Sequence, residues 1–138
     1  MATLHSKIEQ YVGRKVDFIE EVMIHSEGGK EPYIGSWNVE GKTKPTDAQL
    51  KALETKAAEV DAENALNYLR TLRDKKLTET DWVVIKEREE GGSVSNFADW
   101  KTYRQALRDL PKQYSDAKKT KQGYLDWSKI TLPTKPSE

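Results

Sequence analysis

The chain has 138 residues, no cysteine and a formal net charge of zero, a length that suits one small domain with a modest core. The missing cysteines exclude disulfides and thiolate metal sites. The balanced charge argues against nucleic-acid binding, because phosphate neutralisation needs clustered cations and the only basic cluster, "KKTKQ" at 118–122, reads as a solvated loop. No apolar run approaches the ~18 residues of a membrane span, and the opening "MATLHSKIEQ" lacks the apolar core of an export signal. Apolar residues make up 36% of the chain, below the usual share, so a small domain that leans on a partner is expected.

Residues 4–12, "LHSKIEQYV", predict a short helix. Ser6 and Glu9 have capping-box spacing, Ile8, Tyr11 and Val12 give one apolar face, and Gly13 ends it. Residues 16–25, "VDFIEEVMIH", fit either a strand or a helix. The turn cluster "SEGGKEP" that follows, then "YIGSWNV" with Tyr33, Trp37 and Val39 at period two, favours a β-hairpin.

"EGKTKPTDAQL" leads into a helix with Thr46 as its N-cap and Asp47 in the first turn. No Gly or Pro interrupts from there to Lys76, and Ala, Leu, Lys and Glu dominate, so one continuous helix over 46–76 is predicted. Leu66, Leu69 and Leu72 are expected inward. A second stripe of Leu50, Leu53, Ala57 and Val60 runs on into Asn64 and Asn67, either as a self-association seam or simply as an amphipathic face that ends, and the short repeat favours the latter. Leu77 and "WVVI" at 82–85 predict an apolar knot, followed by a charged loop from Glu87 to Gly92.

Asn96 is expected to cap a helix over 97–110 lined by Phe97, Trp100, Tyr103, Leu107 and Leu110 and stopped by Pro111. Arg104 and Arg108 stand four apart on this helix and share a face beside the aromatics. An arginine next to buried rings needs a carboxylate. Asp81 and Asp74 are the candidates, making the segment a core helix pinned by charge-assisted hydrogen bonds in preference to a site for an anionic ligand. Residues 112–138 carry few apolar side chains, and "ITLPTKPSE" should be extended because two prolines forbid a helix. Trp127 in that arm serves either as a partner anchor or as the filling of an intramolecular groove.

No catalytic or cofactor motif is present. His5 and His25 lack metal-ligand spacing, and the pairs Glu20–Glu21 and Glu89–Glu90 are adjacent and point apart in an extended segment. An enzyme, a metal and a cofactor are therefore not expected.

"DWKTYRQALRDLP" at 99–111 resembles the W-x-x-Y-R-Q-A-L-R-D-L-P signature of small tailed-bacteriophage proteins, the tail assembly chaperones or tail fibre assembly proteins. "LRDKKLTETDW" at 72–82 is similar to their R-x-x-x-L-x-x-T-D-W element through Arg73, Leu77, Thr80, Asp81 and Trp82. "YIGSWN", "KPTDAQL" and "LPTKP" (132–136) resemble further family segments in the family's order, with Leu132 where the family has tryptophan. The usual L-P after T-D-W is replaced here by "VVIKEREEGGSVSN", and the first 30 residues have no counterpart in the family pattern.

The expected architecture is α+β: a single compact domain over 1–111 with an N-terminal hairpin, one long helix and a short signature helix, then an extended arm over 112–138. Asp81, Trp82, Trp100, Tyr103, Arg104, Leu107 and Arg108 are the expected structural signature, with Trp82 and Trp100 mostly buried. Tyr33, Trp37 and Trp127 are the expected partner contacts. The resemblance implies a non-enzymatic chaperone that binds a phage tail or tail-fibre protein in the host cytoplasm, with no nucleic acid or membrane involved. The alternative is a minor structural component of the virion tail, baseplate or fibre attachment, self-associating through the long helix.

Overall fold

The computed structural model describes residues 1–138. The chain is α+β and folds as two compact units. One comprises residues 1–63 with 119–125; the other comprises residues 64–118 with 126–138.

The first unit opens with α1 (Leu4–Val12). Its N-cap is Thr3, whose hydroxyl accepts from the Ser6 amide at 3.1 Å, so the cap lies one turn before the predicted Ser6. The choice is made by Asp61, a buried carboxylate far along the chain. It accepts from the Thr3 amide (2.6 Å), the Thr3 hydroxyl (2.9 Å) and the Ser6 hydroxyl. Glu54, two turns earlier on the same helix, accepts from the Ala2 amide at 2.5 Å and pairs with Lys7 at 2.6 Å. Burial works to raise the Glu54 carboxyl, but the hydrogen bonds from Lys7 and Ala2 outweigh it and hold it below its ordinary value.

The hairpin forms as predicted but is shorter. β1 is Val22–His25 and β2 is Tyr33–Trp37, paired antiparallel with a bulge between Met23 and Ile24. Residues 17–21 are a turn because the Asp17 carboxylate accepts the Ile19 and Glu20 amides and pulls the backbone out of the extended state. Val16, Val22, Ile34 and Val39 still enter one core with Ile8 and Leu50. The turn is fastened by Glu21, which accepts from both terminal nitrogens of Arg14 (2.6 and 3.1 Å) and from the Asp17 amide (2.9 Å). The Arg14 fork, reinforced by that amide, lowers the Glu21 carboxyl to about 2. A carboxyl depressed in the folded state contributes stability above its ordinary range, near 4.5, and loses it as pH falls toward about 2. Acid denaturation should therefore show a smaller loss of stability between about pH 5 and about pH 2 in Glu21→Gln than in the wild type; equal losses would remove Glu21 as the acid-sensitive fastening.

The predicted helix over 46–76 is instead two helices, and the second runs well past its expected end. α2 (Asp47–Ala52) starts at Thr46 with a full capping box to Gln49. The chain breaks at Leu53 (φ −95°, ψ 3°), and α3 (Glu54–Glu89) follows. No Gly, Pro or capping side chain marks the break. Tertiary demands differ on its two sides: Leu50 fills the hairpin core, whereas Glu54 and Asp61 bind residues 1–7. The apolar knot expected from Leu77 to Ile85 and the first half of the charged loop expected from Glu87 to Gly92 are the last turns of α3. Lys86 and Arg88 suit its C-terminal dipole, and Gly91 and Gly92 (φ 62° and 91°) end it. Leu50 is buried and Leu53 and Val60 are half-buried, so this stripe is largely taken up within the first unit. Leu69 is fully buried, and Leu66 and Leu72 are half-buried.

Residues 119–125 complete the first unit as a tight loop closed by a Lys119–Leu125 bridge. Tyr124 meets His5 Nδ1 at 2.7 Å. Gly123 has φ 95° and packs on residues 1–3, where a Cβ would lie 2.4 Å from the Met1 carbonyl oxygen. Gly123→Ala should therefore cost about 1–2 kcal/mol for the left-handed backbone alone, and the clash should push the loop off α1. The readout is loss of the Tyr124–His5 contact in side-chain NMR, and an unchanged contact would contradict the packing.

In the second unit α4 (Phe97–Asp109) lies on α3, and their core is Val83, Trp100, Tyr103 and Leu107 with Leu77, Val94 and Phe97 around it. Asn96 precedes α4 but makes no side-chain cap; its side-chain Nδ2 donates to the Ser137 carbonyl at 2.8 Å instead. Pro111 turns the chain into a short 3-10 segment, Leu110–Gln113. Gln113 and Thr131 then exchange a reciprocal pair of 2.8 Å hydrogen bonds, and Ile130 is buried. Of the segment expected as an extended arm, residues 119–125 belong to the first unit and the remainder to the second.

Candidate functional site

The α3–α4 pair gathers the predicted signature residues. Arg104 projects from the middle of α4 onto one turn of α3. Its Nη1 donates to the Leu77 carbonyl (2.9 Å) and the Thr80 hydroxyl (2.8 Å), and its Nη2 donates to Asp81 Oδ1 (2.8 Å). The Arg104 side chain is only 12% exposed, against 53% for Asp81. The expected arginine–aspartate pair is therefore present, but the buried end of the guanidinium is satisfied by neutral oxygens. Thr80, itself buried, is held for this role by donating to the Lys76 and Leu77 carbonyls. Asp74 does not join the cluster; it pairs with its neighbour Arg73. Arg108 reaches Gln105 Oε1 at 3.3 Å and makes no hydrogen bond to Asp81 or Asp74; its charge adds to the hydrogen bonds from Lys112 and Gln105 that hold the neighbouring Asp109 carboxyl below its ordinary value.

Trp100 and Tyr103 are buried at the centre, edge to face at 6.2 Å. Burial pushes the Tyr103 hydroxyl up, so it stays protonated at neutral pH. Trp82 departs from expectation. It meets Trp100 edge-on at 6.0 Å but remains 43% exposed, because Val83 and Thr80 occupy the inward positions of that turn.

The three predicted partner contacts sit in different surroundings. Tyr33 lies on the outer side of the hairpin, 46% exposed and stacked on His25 at 5.7 Å. Trp37 packs against the first unit's core, edge-on to Tyr11 at 6.0 Å, with its indole N–H donating to the Lys42 carbonyl at 2.8 Å. Trp127 is 43% exposed and meets Tyr68 of α3 edge-on at 5.5 Å; Tyr68 is 58% exposed. Tyr68 was not anticipated. It sits on the polar side of a long helix, and its partner ring comes from far along the chain. No group of three or more His, Cys, Asp or Glu side chains is arranged to hold a metal, and no helix is long and apolar enough to cross a membrane.

The structure defines a small α+β protein whose second half is an arginine-stapled helix pair with an ordered extended tail. Residues 66–137 match the family model described as phage tail assembly chaperone protein, and the chain belongs to that family. The matched segment contains every signature residue, Tyr68 and Trp127, whereas Tyr33 and Trp37 lie outside it. No curated protein and no solved structure gives a significant match. Family membership assigns the chain a role in phage tail assembly.

Proposed function

We propose that the chain performs this role without catalysis, by binding a tail or tail-fibre polypeptide in the host cytoplasm and shielding its apolar surface until assembly. The observation that carries the reading is the exposed Trp127–Tyr68 pair within the family-matched segment. Large aromatics held in fixed geometry offer contact area at low entropic cost and are typical anchors for a protein partner. Tyr33 is a second candidate contact on the hairpin. Trp37, tied to the core, contributes by holding β2 in place.

The test is co-expression of the tagged full chain with each tail and fibre protein of its phage, followed by affinity capture. The double variant Tyr68→Ala/Trp127→Ala is expected to retain its melting temperature within about 3 °C and to lose at least about tenfold in capture. Undiminished capture by a stably folded variant would show that the aromatic pair is not the anchor, and no capture of any tail or fibre protein by the wild type would overturn the binding mechanism.

A further inference from the structure

A shallow groove of about 720 Å³ runs along α4 beside the last turns of α3. Val84 and Phe97 give it apolar surface, and Lys101, Arg104 and Arg108 line it beside Phe97. These cations are spaced i, i+3 and i+7, so they share one face of α4. Arg104 is neutralised by Asp81, and Asp109 at the groove's end is occupied by Lys112 at 3.0 Å. Lys101 lies over the Phe97 ring at 5.6 Å and has no carboxylate partner, while Arg108 touches the neutral Gln105 and shares the field of Asp109 with Lys112. This leaves three cations, Lys101, Arg108 and Lys112, against the single carboxylate of Asp109, with Lys101 and Arg108 about 10 Å apart along the helix.

We propose that this groove receives an acidic amphipathic helix of the tail polypeptide, a contact that rests on the binding reading above and adds charge selectivity to it. A groove between two helices accepts the apolar stripe of a third. Two carboxylates seven residues apart on that helix match Lys101 and Arg108, and the planar guanidinium of Arg108 suits a carboxylate bidentately. Arg104 is already committed to α3, so it fixes the groove's wall and leaves recognition to the other two.

The experiment titrates isotope-labelled full chain with helical peptides of ~18 residues, long enough to form a helix. One peptide has Glu at two positions seven apart flanking a leucine stripe; its sisters carry Gln or Lys there. The Glu peptide is expected to shift the resonances of Val84, Phe97, Lys101 and Arg108, the Gln peptide to bind about tenfold more weakly and the Lys peptide weaker still. Lys101→Glu/Arg108→Glu, both exposed positions, should reverse the order, while Lys75→Glu/Lys86→Glu, with the same change in net charge, should keep it. The proposal is overturned if no peptide binds up to about 1 mM, if Glu and Lys peptides bind alike, or if the shifts fall elsewhere. It is equally overturned if a short DNA duplex occupies the groove as well as the Glu peptide, or if sedimentation shows a second copy of the chain filling it. Wild-type-level capture of the tail protein by Lys101→Glu/Arg108→Glu would remove the groove and leave the binding reading standing; absence of capture by the wild type would remove both.

Discussion

Arg104→Ala is expected to destabilise the chain by about 2–4 kcal/mol in chemical denaturation. The side chain is nearly buried and donates to three oxygens on a single turn of α3. Its removal deletes the only charge-assisted link between the two helices and the packing of its aliphatic stem. Asp81→Ala should cost less, about 1 kcal/mol, because that carboxylate is half exposed and the guanidinium keeps the Leu77 and Thr80 oxygens. Arg104→Lys should recover less than half of the loss, since an ammonium cannot serve three acceptors spread over a fork. Equal costs for Arg104→Ala and Asp81→Ala would mean that the ion pair, not the neutral acceptors, holds the helices together.

Asp61→Ala should cost about 2–3 kcal/mol, concentrated at the start of the chain. α1 has no acidic residue in its first turn, and Asp61 supplies from α3 both the missing anion and an acceptor for the Thr3 amide. Without it, that amide is left buried and unpaired, while the Thr3 and Ser6 hydroxyls can rotate toward other acceptors. Asp61→Asn should retain part of the stability, because one carboxamide oxygen still accepts but the NH2 is a further donor among donors. Hydrogen exchange should accelerate in α1 well before the hairpin. A melting temperature within about 1 °C of wild type for Asp61→Ala would show that α1 is held by its apolar face alone.

Local signals in the sequence located the hairpin, the Thr46 cap, the signature helix and the Arg104–Asp81 pair. The failures came where distant residues decide. Ser6 and Thr3 are both competent caps, and Asp61 selects between them. The β-branched run at 83–85 reads as an apolar knot beyond the helix, yet it stays helical because Val83 packs on α4 and Arg104 binds around Thr80. Leu53 carries no stop signal, and the break there follows from what Leu50 and Glu54 must each reach. Tyr68 and Trp127 become a pair only through the path of the folded tail. Trp82 looked equivalent to Trp100, but one position of helix rotation separates a wall from a core.

In the proposed mechanism the chain binds tail polypeptides before assembly and is not built into the particle. Quantitative mass spectrometry of infected cells, comparing pre-assembly complexes with purified virions, distinguishes this from a structural role. The expected result is the chain in complex with a tail or fibre protein before assembly and at well below one copy per particle in virions. A fixed, whole-number copy in every purified virion would contradict the claim and make the chain a structural component of the tail.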